Sequence, residues 1–141
     1  MILYVDASAV VPLVFDEPTS TRCRHLWDSA SAFVSARATY VEVAAAIASA
    51  VRASRIDQTE ADEARVLLDI LWSDVSVVEL DELLMLSAAD CAREFRLRGY
   101  DAVHCASAIS AAGVDAVSAS GDRALLRAWL EVGLTVADVA E

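Results

Sequence analysis

The sequence predicts an α/β fold, a three-layer α/β/α sandwich around a central, mainly parallel five-stranded sheet. Short β-forming runs alternate with longer amphipathic segments from one end of the chain to the other, the pattern of strands joined by crossover helices. The first run, Ile2-Leu3-Tyr4-Val5, is apolar throughout and stops abruptly at Asp6, as suits a strand buried on both faces. The links are short, with no repeat, low-complexity stretch or linker, so residues 1–141 read as a single domain.

The elements follow in order. After the first strand, Ser8 is expected to cap a short helix through Val14, with Pro12 limiting its start. A second helix runs from about Ser20 to Ser29, and Ala32-Phe33-Val34-Ser35 reads as the second strand. From Arg37 to Arg52 the chain is helical, with Tyr40, Val43, Ile47 and Val51 along the stripe that faces the core. The next helix starts near Asp57, where Thr59 and Asp62 have capping-box spacing, and reaches about Ser73. Val75 to Leu80 is the third strand, and Asp81 caps a helix expected to end at Gly99. A further helix covers about Tyr100 to Ala112, closed by Gly113. Asp115 to Ala119 form the fourth strand, Asp122 to Glu131 a helix closed by Gly133, and Leu134-Thr135-Val136 the fifth strand.

Composition narrows the function. Hydrophobic residues make up 57% of the chain, much of it alanine, which suits closely packed helices and leaves apolar surface for a partner. The formal charge is -11 and every basic residue is Arg. That balance argues against strong non-specific binding to nucleic acid, which depends on cationic contacts to phosphate. It leaves catalysis on nucleic acid open, because divalent cations invert the local sign of a carboxylate site. Cys23, Cys91 and Cys105 are odd in number, widely spaced and outside any CxxC pattern, which points to a reduced, cytoplasmic protein. MILYVDASAVVPLVF lacks the basic start of a signal peptide, and no apolar run is long enough to span a membrane.

Four acids stand out by position. Asp6 ends the first strand and Asp122 follows the fourth in Ser120-Gly121-Asp122, at the carboxyl edge where open α/β sheets place their ligand crevice. Asp101 opens a helix, and Glu42 is the lone charge on a helical face of Ala38, Ala45, Ala46 and Ser49. Hard cations such as Mg²⁺ take a few carboxylates plus water, and two such ions about 4 Å apart promote phosphodiester hydrolysis. Each acid also has a plainer reading. Asp101 and Asp122 suit helix N-termini, Asp6 is open between site residue and cap, and Glu42 between site residue and solvated side chain.

Taken together, VDASAVV at the start, Glu42 within TYVEVAAAI, the segment LRGYDAVHCASA and the later SASGDRALL resemble the PIN-domain ribonucleases, in particular the VapC-type toxins of bacterial toxin–antitoxin pairs. The resemblance spans essentially the whole chain, and LRGYDAVHCASA is its strongest part. It implies a PIN-like fold in which Asp6, Glu42, Asp101 and Asp122 hold Mg²⁺ or Mn²⁺. The implied activity is endoribonuclease hydrolysis of RNA by a metal-activated water, in a homodimer silenced by a cognate antitoxin protein. Ser120 and Ser8 match family hydroxyls beside the first and last acids and are expected to orient the ligand shell, although either also suits a helix cap. His104 sits one helical step, about 60°, away from Asp101, and the resemblance makes it a packing or hydrogen-bonding residue. Arg93, Arg96, Arg98, Arg123 and Arg127 flank the acids and suit either RNA phosphate or solvent. The residues that would bind substrate are not identifiable from the sequence.

Rival classes leave different marks. A catalytically inactive RNA- or partner-binding module would dispense with some of the four acids, yet all are present. A phosphoacceptor receiver domain would need a Lys, and the chain has none. A dinucleotide-binding module would need a Gly-rich turn after the first strand, where Asp-Ala-Ser-Ala stands instead.

Overall fold

Strands β1 (Ile2–Val5), β2 (Ala32–Ala36), β3 (Val75–Val78), β4 (Ala116–Ser120) and β5 (Thr135–Asp138) form one parallel sheet in the computed structural model, which describes residues 1–140. Their order is β3-β2-β1-β4-β5, with Val5 opposite Ala119 in the β1–β4 pair. The chain steps outward from β1 to β2 and β3, then crosses to the other side of β1 for β4 and β5. The order therefore reverses between β1 and β4, the place where open α/β sheets put their ligand crevice.

Helices α1 (Ala7–Val14), α2 (Ser20–Ser29), α3 (Ala38–Arg52) and α4 (Gln58–Trp72) contribute to the core on one face of the sheet. Helices α5 (Glu82–Phe95), α6 (Gly99–Ala111) and α7 (Arg123–Glu131) build the other. The period-two alternation of a strand divides β1 between them: Leu3 and Val5 enter the first core, Tyr4 the second. Burial on both faces is why β1 reads as an unbroken apolar run. The first core gathers Val43, Ile47 and Leu68, and the second is built around Leu125 and Trp129, neither of them solvent-exposed.

Several element ends differ from expectation, each for a local reason. Asp6, not Ser8, caps α1: its carboxylate accepts from Ala9 N–H. Pro12 then falls in the second turn of that helix rather than at its start. The capping box of α4 is Asp57 with Glu60, two residues earlier than Thr59 and Asp62 and with the stronger Glu partner. Helix α5 stops at Phe95 because Arg96 takes a left-handed conformation (φ 54°), and Gly99 instead begins α6. Helix α6 ends at Ala112, in extended backbone, before Gly113 is reached. Gly133, at φ 83°, does close α7 as its position implies.

Candidate active site

Asp6 is the first residue past β1, and its extended backbone turns the carboxylate into the β1–β4 crevice. Oδ1 accepts from Ser8 Oγ (2.6 Å) and from Ala9 N–H (3.3 Å), while Oδ2 accepts from Ser120 Oγ (2.5 Å). The two hydroxyls also fasten the loop after β4, since Gly121 N–H donates to Ser8 Oγ (2.7 Å) and Asp122 N–H to Ser120 Oγ (2.9 Å). Ser8 and Ser120 thus brace Asp6 against the Asp122 loop. Asp6 is buried, and burial holds its carboxyl above the usual range despite the opposing pull of His104 and the hydroxyl donors.

Asp122 caps α7, accepting from Leu125 N–H at 2.9 Å, so it is a helix cap and stands on the crevice edge as well. Asp101 lies in the first turn of α6, half-buried, and no protein group donates a hydrogen bond to its carboxylate among the described residues. Burial raises the Asp101 pKa first, followed by the negative charges of Asp122, Asp6 and Glu42, with His104 pulling the other way. All four acids therefore share one electrostatic neighbourhood, although they come from β1, α3, α6 and the β4–α7 turn. Among the described residues no three His, Cys, Asp or Glu side chains form a ready-made ion cage.

Glu42 extends from α3 across to α6. Its Oε1 accepts from His104 Nε2–H at 2.7 Å, the proton being assigned to Nε2 because a carboxylate only accepts. His104 is buried, and its Nδ1 meets the Tyr4 hydroxyl at 2.8 Å. Tyr4 in turn packs edge-on against Trp129, ring centroids 5.7 Å apart. Sequence reasoning gave His104 only a packing or hydrogen-bonding role and did not pair it with Glu42. The helical wheel of α6 measures His104 against Asp101, whereas its partner lies on another helix.

The donor set is all carboxylate and hydroxyl oxygen, the chemistry of Mg²⁺ and Mn²⁺ rather than of softer metals. Asp101, with no donor among the described residues, and a buried Asp6 oriented by two short hydroxyl contacts suit such an ion. Arg93, Arg96, Arg98, Arg123 and Arg127 are all exposed, and Arg93 pairs with Asp90 at 3.5 Å. A mostly apolar cavity of about 560 Å³ is lined by Tyr40, Val41, Trp72, Leu80 and Tyr100 together with Arg37 and Ala38. Val41 and Tyr100 belong to α3 and α6, the helices that also carry Glu42 and Asp101.

Comparison with known proteins bears on the family and the fold. The family model for the PIN domain matches residues 3–128. Ribonuclease VapC49 of Mycobacterium tuberculosis (strain ATCC 25618 / H37Rv) is 38% identical over 124 residues, covering 88% of this chain and 86% of the relative. A toxin–antitoxin complex from Klebsiella pneumoniae superimposes with a TM-score of 0.66 at 11% identity, covering 97% of both chains. The Mycobacterium tuberculosis toxin VapC20, which cleaves the sarcin–ricin loop, superimposes at 0.66 with 16% identity, covering 94% of this chain and 96% of that one.

Proposed function

The chain belongs to the PIN-domain family, and from that membership and the site geometry we propose that it is a metal-dependent endoribonuclease, the toxin of a toxin–antitoxin pair. The observation that carries this reading is Asp101: a half-buried carboxylate with no donor among the described residues, whose pKa is raised by burial and by the charges of Asp122, Asp6 and Glu42. Such an arrangement is unfavourable for the folded chain alone and favourable for a cation.

Asp6, Glu42 and Asp101 would hold Mg²⁺ or Mn²⁺, with Asp122 completing the set. When bound, the ion supplies Lewis acidity toward water and phosphate. The chain's own groups do the rest. Ser8 and Ser120 hold both oxygens of Asp6, so that carboxylate meets its ligand without a rotamer search. The Asp122 loop is tied to the same hydroxyls and moves with Asp6 as one body. No side chain acts as nucleophile, and no Ser or Cys stands in a triad with His104, whose two nitrogens are taken by Tyr4 and Glu42.

Neutralisation follows from the surroundings of the acids. A cognate antitoxin would lay an apolar segment into the cavity lined by Val41 and Tyr100, on the helices that carry Glu42 and Asp101, and a cation on that segment would reach toward the acids. A cytoplasmic location, where RNA and antitoxin meet, is part of this reading. No helix of the described residues is long and apolar enough to cross a membrane. A homodimer is part of the same reading, from the family likeness.

The test is cleavage of an RNA panel by the purified chain with Mg²⁺, with Mn²⁺ and with EDTA, beside Asp101→Asn. Cleavage that needs the metal and disappears in the folded variant is expected. Equal turnover by wild type and Asp101→Asn would refute the reading, and binding without cleavage would make the chain an inactive module.

A further inference from the structure

Glu42 is a long side chain on α3 with about a quarter of its surface exposed, and left to itself it would sample many rotamers. Its one hydrogen-bond partner among the described residues is His104 Nε2 on α6, at 2.7 Å. The imidazole has almost no freedom of its own. It is 2% exposed, its Nδ1 is engaged by Tyr4 at 2.8 Å, and the Tyr4 ring is wedged against Trp129 in the core. The line of contact runs from the rigid β1 strand, through α6, to the tip of a side chain on α3. Donor and acceptor roles are set along it: Nε2–H donates to the carboxylate, and in the neutral ring Nδ1 accepts from the tyrosine O–H.

We propose that His104 is a positioning residue, held at Nδ1 by Tyr4, that fixes Glu42 Oε1 from Nε2 and thereby sets where Oε2 stands in the acid cluster. The inference rests on Glu42 being an ion ligand in the proposed reaction. Its physical content is that a ligand oriented by a hydrogen bond from behind binds without the loss of rotamer freedom an unsupported glutamate would suffer. His104 contributes through the direction of its N–H bond, so another side chain with a donor at the same point should serve. Gln places its amide near the Nε2 position, whereas Asn reaches only to that of Nδ1 and Leu keeps the bulk without a donor.

Two measurements separate this proposal from the ribonuclease reading beneath it. In EDTA, the side-chain nitrogen spectrum of the wild-type chain should show His104 protonated at Nε2. An unprotonated Nε2 overturns the proposal whether or not the protein cuts RNA. Titration of Mn²⁺ by calorimetry should then give His104→Gln an affinity within about threefold of wild type, and His104→Asn and His104→Leu a loss of roughly 10- to 100-fold. Tyr4→Phe, which keeps the ring and removes the hydroxyl, should lose less than Leu but measurably more than Gln. Melting temperatures of each variant report folding. Should Leu fail to fold, the Gln–Asn comparison decides, and equal losses in those two overturn the proposal. A wild-type chain that binds no Mn²⁺ but shows the expected His104 spectrum would refute the ion-ligand reading while leaving the Tyr4–His104–Glu42 clamp in place.

Discussion

At Asp101 the conflict between folding and function sits in one carboxylate. Burial and the charges of Asp122, Asp6 and Glu42 raise its pKa from the ordinary 3.8, so the folded chain binds that proton more tightly than the unfolded chain does. The sign follows directly: in metal-free protein this residue costs stability increasingly as pH rises through and above that value. Asp101→Asn should therefore raise the melting temperature in EDTA by about 1–2 °C after solvent screening, and its advantage over wild type should widen between about pH 4 and about pH 7. Thermal melts at the two pH values check it, and a variant less stable than wild type at both would contradict the crowding of the acids. Asp6 is a poorer subject for the same test, because its carboxylate also caps α1 and receives Ser8 and Ser120. The strand-end and helix-start positions of the acids were legible from their neighbours in sequence. The role of His104 was not, because its hydrogen-bond partner is 62 residues away on a different helix.

Helix ends carry the next set of expectations. The Asp57–Glu60 capping box satisfies the first turn of α4 from both directions, and Asp57→Ala should cost about 1 kcal/mol by urea denaturation. Arg96 ends α5 in the left-handed region (φ 54°, ψ 44°), where a side chain is disfavoured by about 1 kcal/mol. Arg96→Gly should accordingly stabilise the chain by about 0.5 kcal/mol once the added freedom of the unfolded glycine is counted. A destabilised variant would mean that the Arg96 side chain contributes packing or charge that outweighs its backbone. That turn also shows where sequence reading of an element fails. Gly99 looks like a stop signal, yet the stop came three residues earlier, at an arginine, since tertiary packing of Leu97 into the second core decides where α5 breaks.

For the molecule as a whole, charge and topology act together. With a net charge of -11 the chain repels RNA, and the carboxylate crevice is where it repels it most. Affinity for a short single-stranded RNA in EDTA should be weaker than about 100 μM and should strengthen when Mg²⁺ or Mn²⁺ is added. Fluorescence anisotropy of the wild-type chain, read at early times, checks this, and Asp101→Asn should lose part of the strengthening by metal. Tight binding in EDTA would place the RNA on the exposed arginines instead.

Hydropathy alternation and helix periodicity predicted the layered fold and the five strands, and position drew attention to Asp6, Glu42, Asp101 and Asp122, which the family resemblance joined into one set. These are local properties, written in neighbouring residues by the repeat of a strand or a helix. The sheet order β3-β2-β1-β4-β5, the hydroxyl brace between Asp6 and the Asp122 loop, and the Tyr4–His104–Glu42 line were decided only by the folded chain. Each depends on which segments become neighbours in space, and that choice is made by burial of both faces of β1 at once, not by any one stretch of sequence.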